Sequence, residues 1–393
     1  MASYTIDFIA SIVIVTTLLT SSIVIVAQDL NRAIIYQQDQ QTFLKASDIL
    51  NNILQNTGYP QDWGQTNDAP KSFGINAPNT EHLTLNPFTP LRLMQANENI
   101  VYNSVEYRNL TTGNTHLFLR SNEYINYSYA AELLSVENDF GFSISITPVL
   151  NISISQLRAS PLKIGISVQG PNGGVPGVSL NASLFYVNNG ALYPSISNPI
   201  KDHAVSNISG RADIEFPSIN ADDTPYIALI KANTGGTSGI GYYTNTYSMD
   251  SPILPVVTNY SEGEVSLVHR KNITNSYAYN GNVYYNLTFV NQLGKTDFQS
   301  VKLGTSYGIV SINNPGIVSL SVGNPGILLV SSKTTGGHEL TTIPWGITPL
   351  CLHMTYGADP LNKKTVAKTM QFVSISDLSY KLEVAVWKFS PEY

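Results

Sequence analysis

From Phe8 to Ala27 the chain carries no charge and no helix breaker, and this apolar run continues without interruption into a polar stretch. About twenty such residues make roughly 30 Å of helix, the thickness of a bilayer core. Ile and Val dominate the run. In lipid a lone segment must satisfy its own backbone, so helix is predicted despite their strand preference. Beyond Ala27, the residues Leu30, Ala33 and Ile34, then Ala46, Ile49, Leu50, Ile53 and Leu54, recur at spacings of three and four and form one stripe. Gly58 is a C-cap and Pro60 forbids continuation. The spacing predicts one rod from Tyr4 to Asn56, about 80 Å long, whose outer stripe needs a packed partner.

After Pro60 the period changes from helical to two. Phe140, Phe142, Ile144 and Ile146 alternate with small or polar residues. So do Val178, Leu180, Ala182 and Leu184; Ala212, Ile214 and Phe216; Val283, Tyr285, Leu287 and Phe289; and Tyr380, Leu382, Val384 and Val386. Alternation of this kind predicts strands with one buried face. Turn residues fall between them at Gly170–Gly174, Asn188–Gly190 and Ser209-Gly210. The echo Asn314-Pro-Gly-Ile and Asn324-Pro-Gly-Ile predicts two successive hairpin turns. The fold class is therefore mainly β: a long N-terminal hydrophobic α-helix followed by a β-rich ectodomain with an Ig-like β-sandwich. The division expected is 1–58 as transmembrane or assembly helix and stalk, 59–160 as the first part of a β-rich domain, 161–248 as an inserted sandwich, and 249–393 as the second part. Two consecutive independent domains remain open beside the insertion.

Composition changes the picture in one respect. Only 12% of the 393 residues are charged, and Asn, Ser, Thr, Gly and 23 tyrosines take their place, a polar but weakly ionic surface. The net charge of -6 is spread along the chain, so no basic patch invites nucleic acid. The single cysteine, Cys351, lies in an apolar stretch and reads as a buried free thiol. No Lys or Arg precedes Arg32, whereas a cleaved secretory signal needs a basic start and a shorter apolar core. Eight asparagines fit the N-x-Ser/Thr acceptor pattern, all beyond the stalk: Asn109, Asn126, Asn151, Asn181, Asn207, Asn259, Asn272 and Asn286. With the anchor, they place the body outside the cell.

Candidate chemistry is thin. Gly304-Thr-Ser306-Tyr-Gly308 is a G-x-S-x-G string, but a nucleophile elbow needs a helix after it, and Ile309–Ile312 reads as strand. Glu339 and His353 follow in order without a spacing that pairs them, and a serine ectohydrolase is the remotest reading. His82, His116, His203, His269, His338 and His353 are scattered and read as single surface or strand residues rather than metal ligands. Asp222-Asp223 reads as a solvated turn, and Gly235–Gly241 as a loop without the Lys-Ser/Thr of a phosphate cradle. No catalytic residue, metal or cofactor is expected. Tyr242, Tyr243, Tyr247, Tyr277, Tyr279, Tyr284 and Tyr285 suit either strand packing or wet contacts with glycans or proteins.

Two resemblances add to this. The stretch from Pro161 to Tyr247 is similar to the immunoglobulin-like or carboxypeptidase-regulatory-like modules of microbial surface proteins, which implies fold alone. The segment Ser3-Tyr4-Thr5-Ile6-Asp7-Phe8, its hydrophobic helix, and the exit Ala46–Leu50, Asn56–Pro60 and Trp63 resemble archaeal type IV pilin-like proteins. The resemblance implies peptidase cutting between Ala2 and Ser3, which makes Asp7 the fifth mature residue. Its carboxylate then pairs with a neighbouring subunit's terminal amine, since a charge in an apolar bundle needs a partner. Family leaders carry Lys or Arg, and Met1-Ala2 supplies neither; either the chain starts near its mature end or it is an uncleaved relative. The function implied is a structural or adhesive subunit of a cell-surface filament, assembling through Ser3, Asp7 and Phe8. Its partners are further copies or other pilin-like subunits, the membrane, and surface glycans or proteins. The alternative is a solitary membrane-anchored surface glycoprotein with a ligand-binding sandwich.

Overall fold

A computed structural model describes residues 2–80, 83–96, 98–110, 115–136, 139–188, 193–246, 251–274, 279–291, 299–301, 303, 307–320, 324–346, 353–361 and 365–389. One helix, Ala2–Gln55, opens the chain, and a body built mainly of strands follows. Neither Gly nor Pro occurs between Phe8 and Asn56, so nothing interrupts the hydrogen-bond ladder. Gly58 ends it, with φ +80°, in the left-handed region that glycine enters at little cost.

The helix lands on a four-stranded antiparallel sheet ordered Met354–Gly357, Phe140–Pro148, Leu378–Lys388, Ala367–Ile375. Alternation in Leu378–Lys388 puts Tyr380, Leu382, Val384 and Val386 on one face, directly opposite Pro148, Ile146, Ile144 and Phe142 across the ladder. All but Pro148 share a core with Ala46, Ile49, Leu50, Ile53 and Leu54 of the helix. Next comes a second pair of layers. A six-stranded sheet runs Glu98–Tyr102, Val105–Asn109, Phe118–Arg120, Ile253–Asn259, Glu264–His269, Gly316–Ser319. It faces a five-stranded sheet made by Gln299–Val301, Val283–Asn291, Gly326–Thr334 and Gly337–Trp345, with Tyr307–Val310 also paired to Val283–Asn291. Leu267, Val257, Leu287, Phe289, Leu328 and Trp345 fill the space between. Segments on both sides of the central sandwich thus share two sheets.

The sandwich itself has three main strands over four, with the two-residue strands Gly173–Gly174 and Ser195–Ile196 paired to Leu162–Gly170 and Ser179–Asn188. One sheet is Arg211–Phe216, Leu162–Gly170, Asn151–Arg158; the other is Ile200–Val205, Ser179–Asn188, Tyr226–Thr234, Thr237–Thr244. The strand Asn151–Arg158 lies ahead of the expected start at 161, yet it pairs along Leu162–Gly170 from Asn151↔Gln169 to Arg158↔Lys163. Its alternating Ile152 and Ile154 pack on the sandwich core. Tyr226–Thr234 is buried on both faces: Ala228, Ile230 and Ala232 face the sandwich interior, while Ile227 and Leu229 join the helix-bearing core. Gly326–Thr334 is divided in the same way, with Leu328 and Val330 in one core and Ile327 and Leu329 in the other. A strand buried on both sides reads as a continuous apolar run rather than an alternating one.

Three expectations need correction. The loop expected at Gly235–Gly241 is a hairpin: Gly235 and Gly236 turn with φ +52° and +81°, and Thr237–Thr244 is a strand. Gly241 is small because a Cβ there would stand 2.7 Å from Ile152 Cγ2 on the opposing sheet. The two Asn-Pro-Gly echoes do not close successive hairpins. The first begins on Asn314, which closes the tight turn Ser311↔Asn314, and the strands that start on the echoes' glycines, Gly316–Ser319 and Gly326–Thr334, enter different sheets. Among the histidines, His269 ends the strand Glu264–His269, whereas His116, at 4% exposure, is neither on the surface nor in a strand.

Candidate functional site

The helix divides at Thr42. Every residue from Asp7 to Gln41 is exposed, including Phe8, Ile12, Leu18, Ile25 and Ile35. An apolar face of this extent is not left to water. Among the described residues, this is the one helix long and apolar enough to cross a membrane by length and composition. Six hydroxyls lie within its apolar part, and each donates to the carbonyl one turn back. Ser11 Oγ bonds Asp7 O at 2.8 Å, Thr16 Oγ1 bonds Ile12 O at 2.5 Å, and Thr17 Oγ1 bonds Val13 O at 2.7 Å. Thr20 bonds Thr16 O, Ser21 bonds Thr17 O at 2.7 Å, and Ser22 bonds Leu18 O at 2.8 Å. The segment can therefore enter lipid or a helix bundle without exposing an unpaired hydroxyl. Asp7 and Phe8 are exposed, and Ser3 lies one turn before Asp7 on the same helix. The salt bridge Asp29–Arg32, at 3.8 Å and open to solvent, stands just past the apolar run.

From Thr42 onward one face is buried. Ala46 and Ile53 are wholly covered, packed with Val373, Ile375, Tyr380 and Leu382 of the C-terminal hairpin. Helix ends leave carbonyls without partners, and here the segment after the exit supplies donors: Ile75 N to Ile53 O and Asn76 N to Asn56 O, both 3.1 Å. Trp63 closes the corner, its Nε1 donating to Thr57 O at 3.1 Å and Gly74 O at 2.9 Å.

Sequence reasoning missed a buried polar cluster beside this corner. Arg92, in the short helix Thr89–Leu93, is 1% exposed. Its Nε donates to Glu123 O at 2.7 Å, its Nη1 to Trp63 O and to Asp68 O at 2.9 Å, and its guanidinium lies 5.5 Å from the Trp63 ring centre. Arg108 donates to Met94 O at 2.7 Å and stacks over Tyr124. The Glu123 carboxyl is 1% exposed and meets no hydrogen-bond partner among the described residues. Burial pushes it up to about 7, against the pull of Arg92, Arg108 and Arg120. Burial likewise lowers Arg108 to about 10. The signal in the sequence was an Arg between two leucines, Leu91-Arg92-Leu93, in an apolar frame.

The remaining sequence candidates are not gathered into one place. Asn126, Asn151 and Asn207 are exposed, whereas Asn109, Asn181, Asn259, Asn272 and Asn286 are half-buried. Asn181 and Asn286 sit in mid-sheet, each paired on both sides. Asn109 Nδ2 donates to Glu98 Oε1 at 2.9 Å and Asn272 Nδ2 to Ile312 O at 2.7 Å. Of the G-x-S-x-G string, Gly304–Ser306 lie outside the described residues; Tyr307 and Gly308 begin a strand, Tyr307–Val310. Cys351, His82, Tyr247 and Tyr277 also lie outside them. Asp222 and Asp223 line an open pocket with His338 and Glu339, while His353 sits between the hydroxyls of Thr147 and Thr355, 2.8 Å from each. The tyrosines divide between both readings: Tyr285 packs in the core, and Tyr284 turns outward against Tyr193, which also meets Tyr307 at 4.8 Å.

No family model matches this chain, and no curated protein does. Solved structures with some likeness include trypsin-activated alpha-2-macroglobulin from Escherichia coli, at 11% identity and a TM-score of 0.22. That match covers 57% of this chain and only 18% of the other. A two-domain fibronectin type III segment of chicken tenascin is 11% identical, covering 51% of this chain and 99% of the segment at a TM-score of 0.17. The D0-D1 domain of intimin is 15% identical, covering 55% and 100% at 0.20. Scores this low carry no argument; the sandwich rests on its strand pairings.

Proposed function

We propose that this chain is a structural or adhesive pilin-like subunit of a cell-surface filament. It assembles through the exposed half of its N-terminal helix and holds a β-rich body outside the cell. The observation that carries the reading is the division of one unbroken helix at Thr42, bare before it and docked after it. A bare apolar rod with internally satisfied hydroxyls suits storage in a membrane and later packing against copies of itself. Such packing is heterologous and extends into a filament instead of closing. Asp7, at the start of the apolar run, is the charge that a neighbour's terminal amine would neutralise, and the archaeal pilin-like resemblance of Ser3–Phe8 points the same way. The role is one of assembly and display, without catalysis.

The native N-terminal mass tests it. Ser3 as the first residue, together with filaments on sheared cell surfaces that vanish when the protein is deleted, is the expected result. An intact Met1 or Ala2 on a strictly monomeric membrane protein overturns the filament and leaves a solitary anchored surface protein.

A further inference from the structure

Among the acceptor triplets, Asn207-Ile208-Ser209 has a geometry of its own. It forms the turn that carries the chain from strand Ile200–Val205 in one sandwich sheet to Arg211–Phe216 in the other. Asn207 Oδ1 accepts three hydrogen bonds: from Ser209 N at 2.9 Å, Ser209 Oγ at 2.8 Å and Arg211 N at 3.0 Å. With the oxygen pinned inward, Nδ2 of the same planar amide points away from the turn, and no hydrogen bond among the described residues engages it. The triplet's own hydroxyl thus polarises the carbonyl of the amide whose nitrogen is free. Ile208 between them is 94% exposed, so an enzyme can surround the triplet without unfolding anything.

The turn is held firmly at its base. Ser206 Oγ donates to Val175 O at 2.8 Å and accepts from Val178 N at 2.9 Å. Gly210 has φ +76°, and a Cβ there would stand 2.7 Å from Val175 N. Asn259-Tyr260-Ser261 serves as an internal control. Asn259 Oδ1 also accepts from its triplet serine, at 2.8 Å, but Tyr260 is fully buried against Phe88 and Trp345. Reaching Asn259 would mean pulling an aromatic anchor from the core.

We propose that Asn207 is where the folded body accepts an N-linked glycan, an inference resting on the outward placement of the body. In the transfer, Asn207 Nδ2 forms a bond to the anomeric carbon of a sugar carried as a glycosyl phosphate or diphosphate on a membrane lipid. The sugar's carbon–oxygen bond to phosphate breaks, the lipid phosphate departs with the electron pair, and the Nδ2 proton passes to a base of the transferase.

The test maps glycopeptides of the full chain purified from cells that make it, alongside protease accessibility of the body on intact cells. Glycan on Asn207, lost in Asn207→Asp and Ser209→Ala and kept in Ser209→Thr, is the expected result. Asn207→Asp preserves the accepting oxygen, so the turn still folds. The folded chain offered to a purified oligosaccharyltransferase with lipid-linked donor should be modified at Asn207 at least tenfold faster than at Asn259. Unfolding should remove that preference. Asn207 bare while protease reaches the body overturns the assignment and leaves the outward placement standing; a body both bare and protease-protected removes both. Equal modification of Asn207 and Asn259 in the folded chain also overturns the assignment.

Discussion

Replacing Ile53 by Ala should destabilise the body severely, while the same change at Ile25 should leave it untouched. Ile53 is 0% exposed, on the docked half of the helix, and its carbonyl accepts from Ile75 N. The change removes three carbons, worth about 2.5 kcal/mol of transfer free energy. A cavity lined by the C-terminal hairpin adds to this, for a total of about 3–4 kcal/mol. Ile25 is 57% exposed on the bare half, so its loss leaves no cavity in the body. Urea unfolding in mild detergent, followed by tryptophan fluorescence, reads the difference, because Trp63, Trp345 and Trp387 are all buried in the body. A cost below about 1 kcal/mol for Ile53→Ala would refute the docking, since a fully covered Ile cannot be trimmed so cheaply. A cost at Ile25 equal to that at Ile53 would refute the division of the helix.

The Glu123 carboxyl, raised by burial from 4.5 to about 7, favours the folded state while it is protonated. Its contribution is complete below about pH 4.5 and is lost as pH rises through 7. The fall should reach about 3 kcal/mol between urea midpoints at pH 5 and pH 8, and Glu123→Gln should flatten it. Trp63→Phe leaves the carbonyls of Thr57 and Gly74 without their donor and should lower stability by about 1–3 kcal/mol, read by thermal melts. Gly241→Ala places a methyl 2.7 Å from Ile152 Cγ2 and should cost the sandwich about 1–3 kcal/mol; amide exchange should show the loss concentrated in residues 151–244.

The helix was legible because its signals are local: an unbroken apolar run, a stripe at three and four, and a glycine stop. Strands with one wet face were legible for the same reason, as the inward positions of Val178–Leu184 and Tyr380–Val386 show. The pairing of those strands was not. Phe140–Pro148 meets Leu378–Lys388 across most of the chain, and no local pattern encodes such a partner. Strands covered on both faces hide for a different reason, because Tyr226–Thr234 and Gly326–Thr334 lose the alternation that marks a strand. Arg92 and Glu123 escaped because charged residues are presumed solvated until packing shows otherwise. The acceptor triplets were legible as a set, but their presentation was not. Whether Ile208 or Tyr260 faces water depends on tertiary packing alone.

The link between the bare helix and the body bears on which of the two surface readings is favoured. A solitary receptor gains reach from a flexible tether, and Gly/Ser-rich linkers supply it. Here the chain has neither Gly nor Pro from Phe8 to Asn56, and the same helix that emerges bare is clamped at its other end. The Ile53 and Asn56 carbonyls accept from the backbone N–H groups of Ile75 and Asn76, and Arg92 ties the corner at Trp63 and Asp68 to Glu123. The sandwich is seated on the same core through Ile227 and Leu229. Any contact the bare helix makes with its surroundings therefore fixes the direction in which the whole body faces. Fixed orientation is what a repeating assembly requires, since every copy must present the same face to the next. The rigidity of the connection is the physical reason for favouring the filament over the solitary anchor.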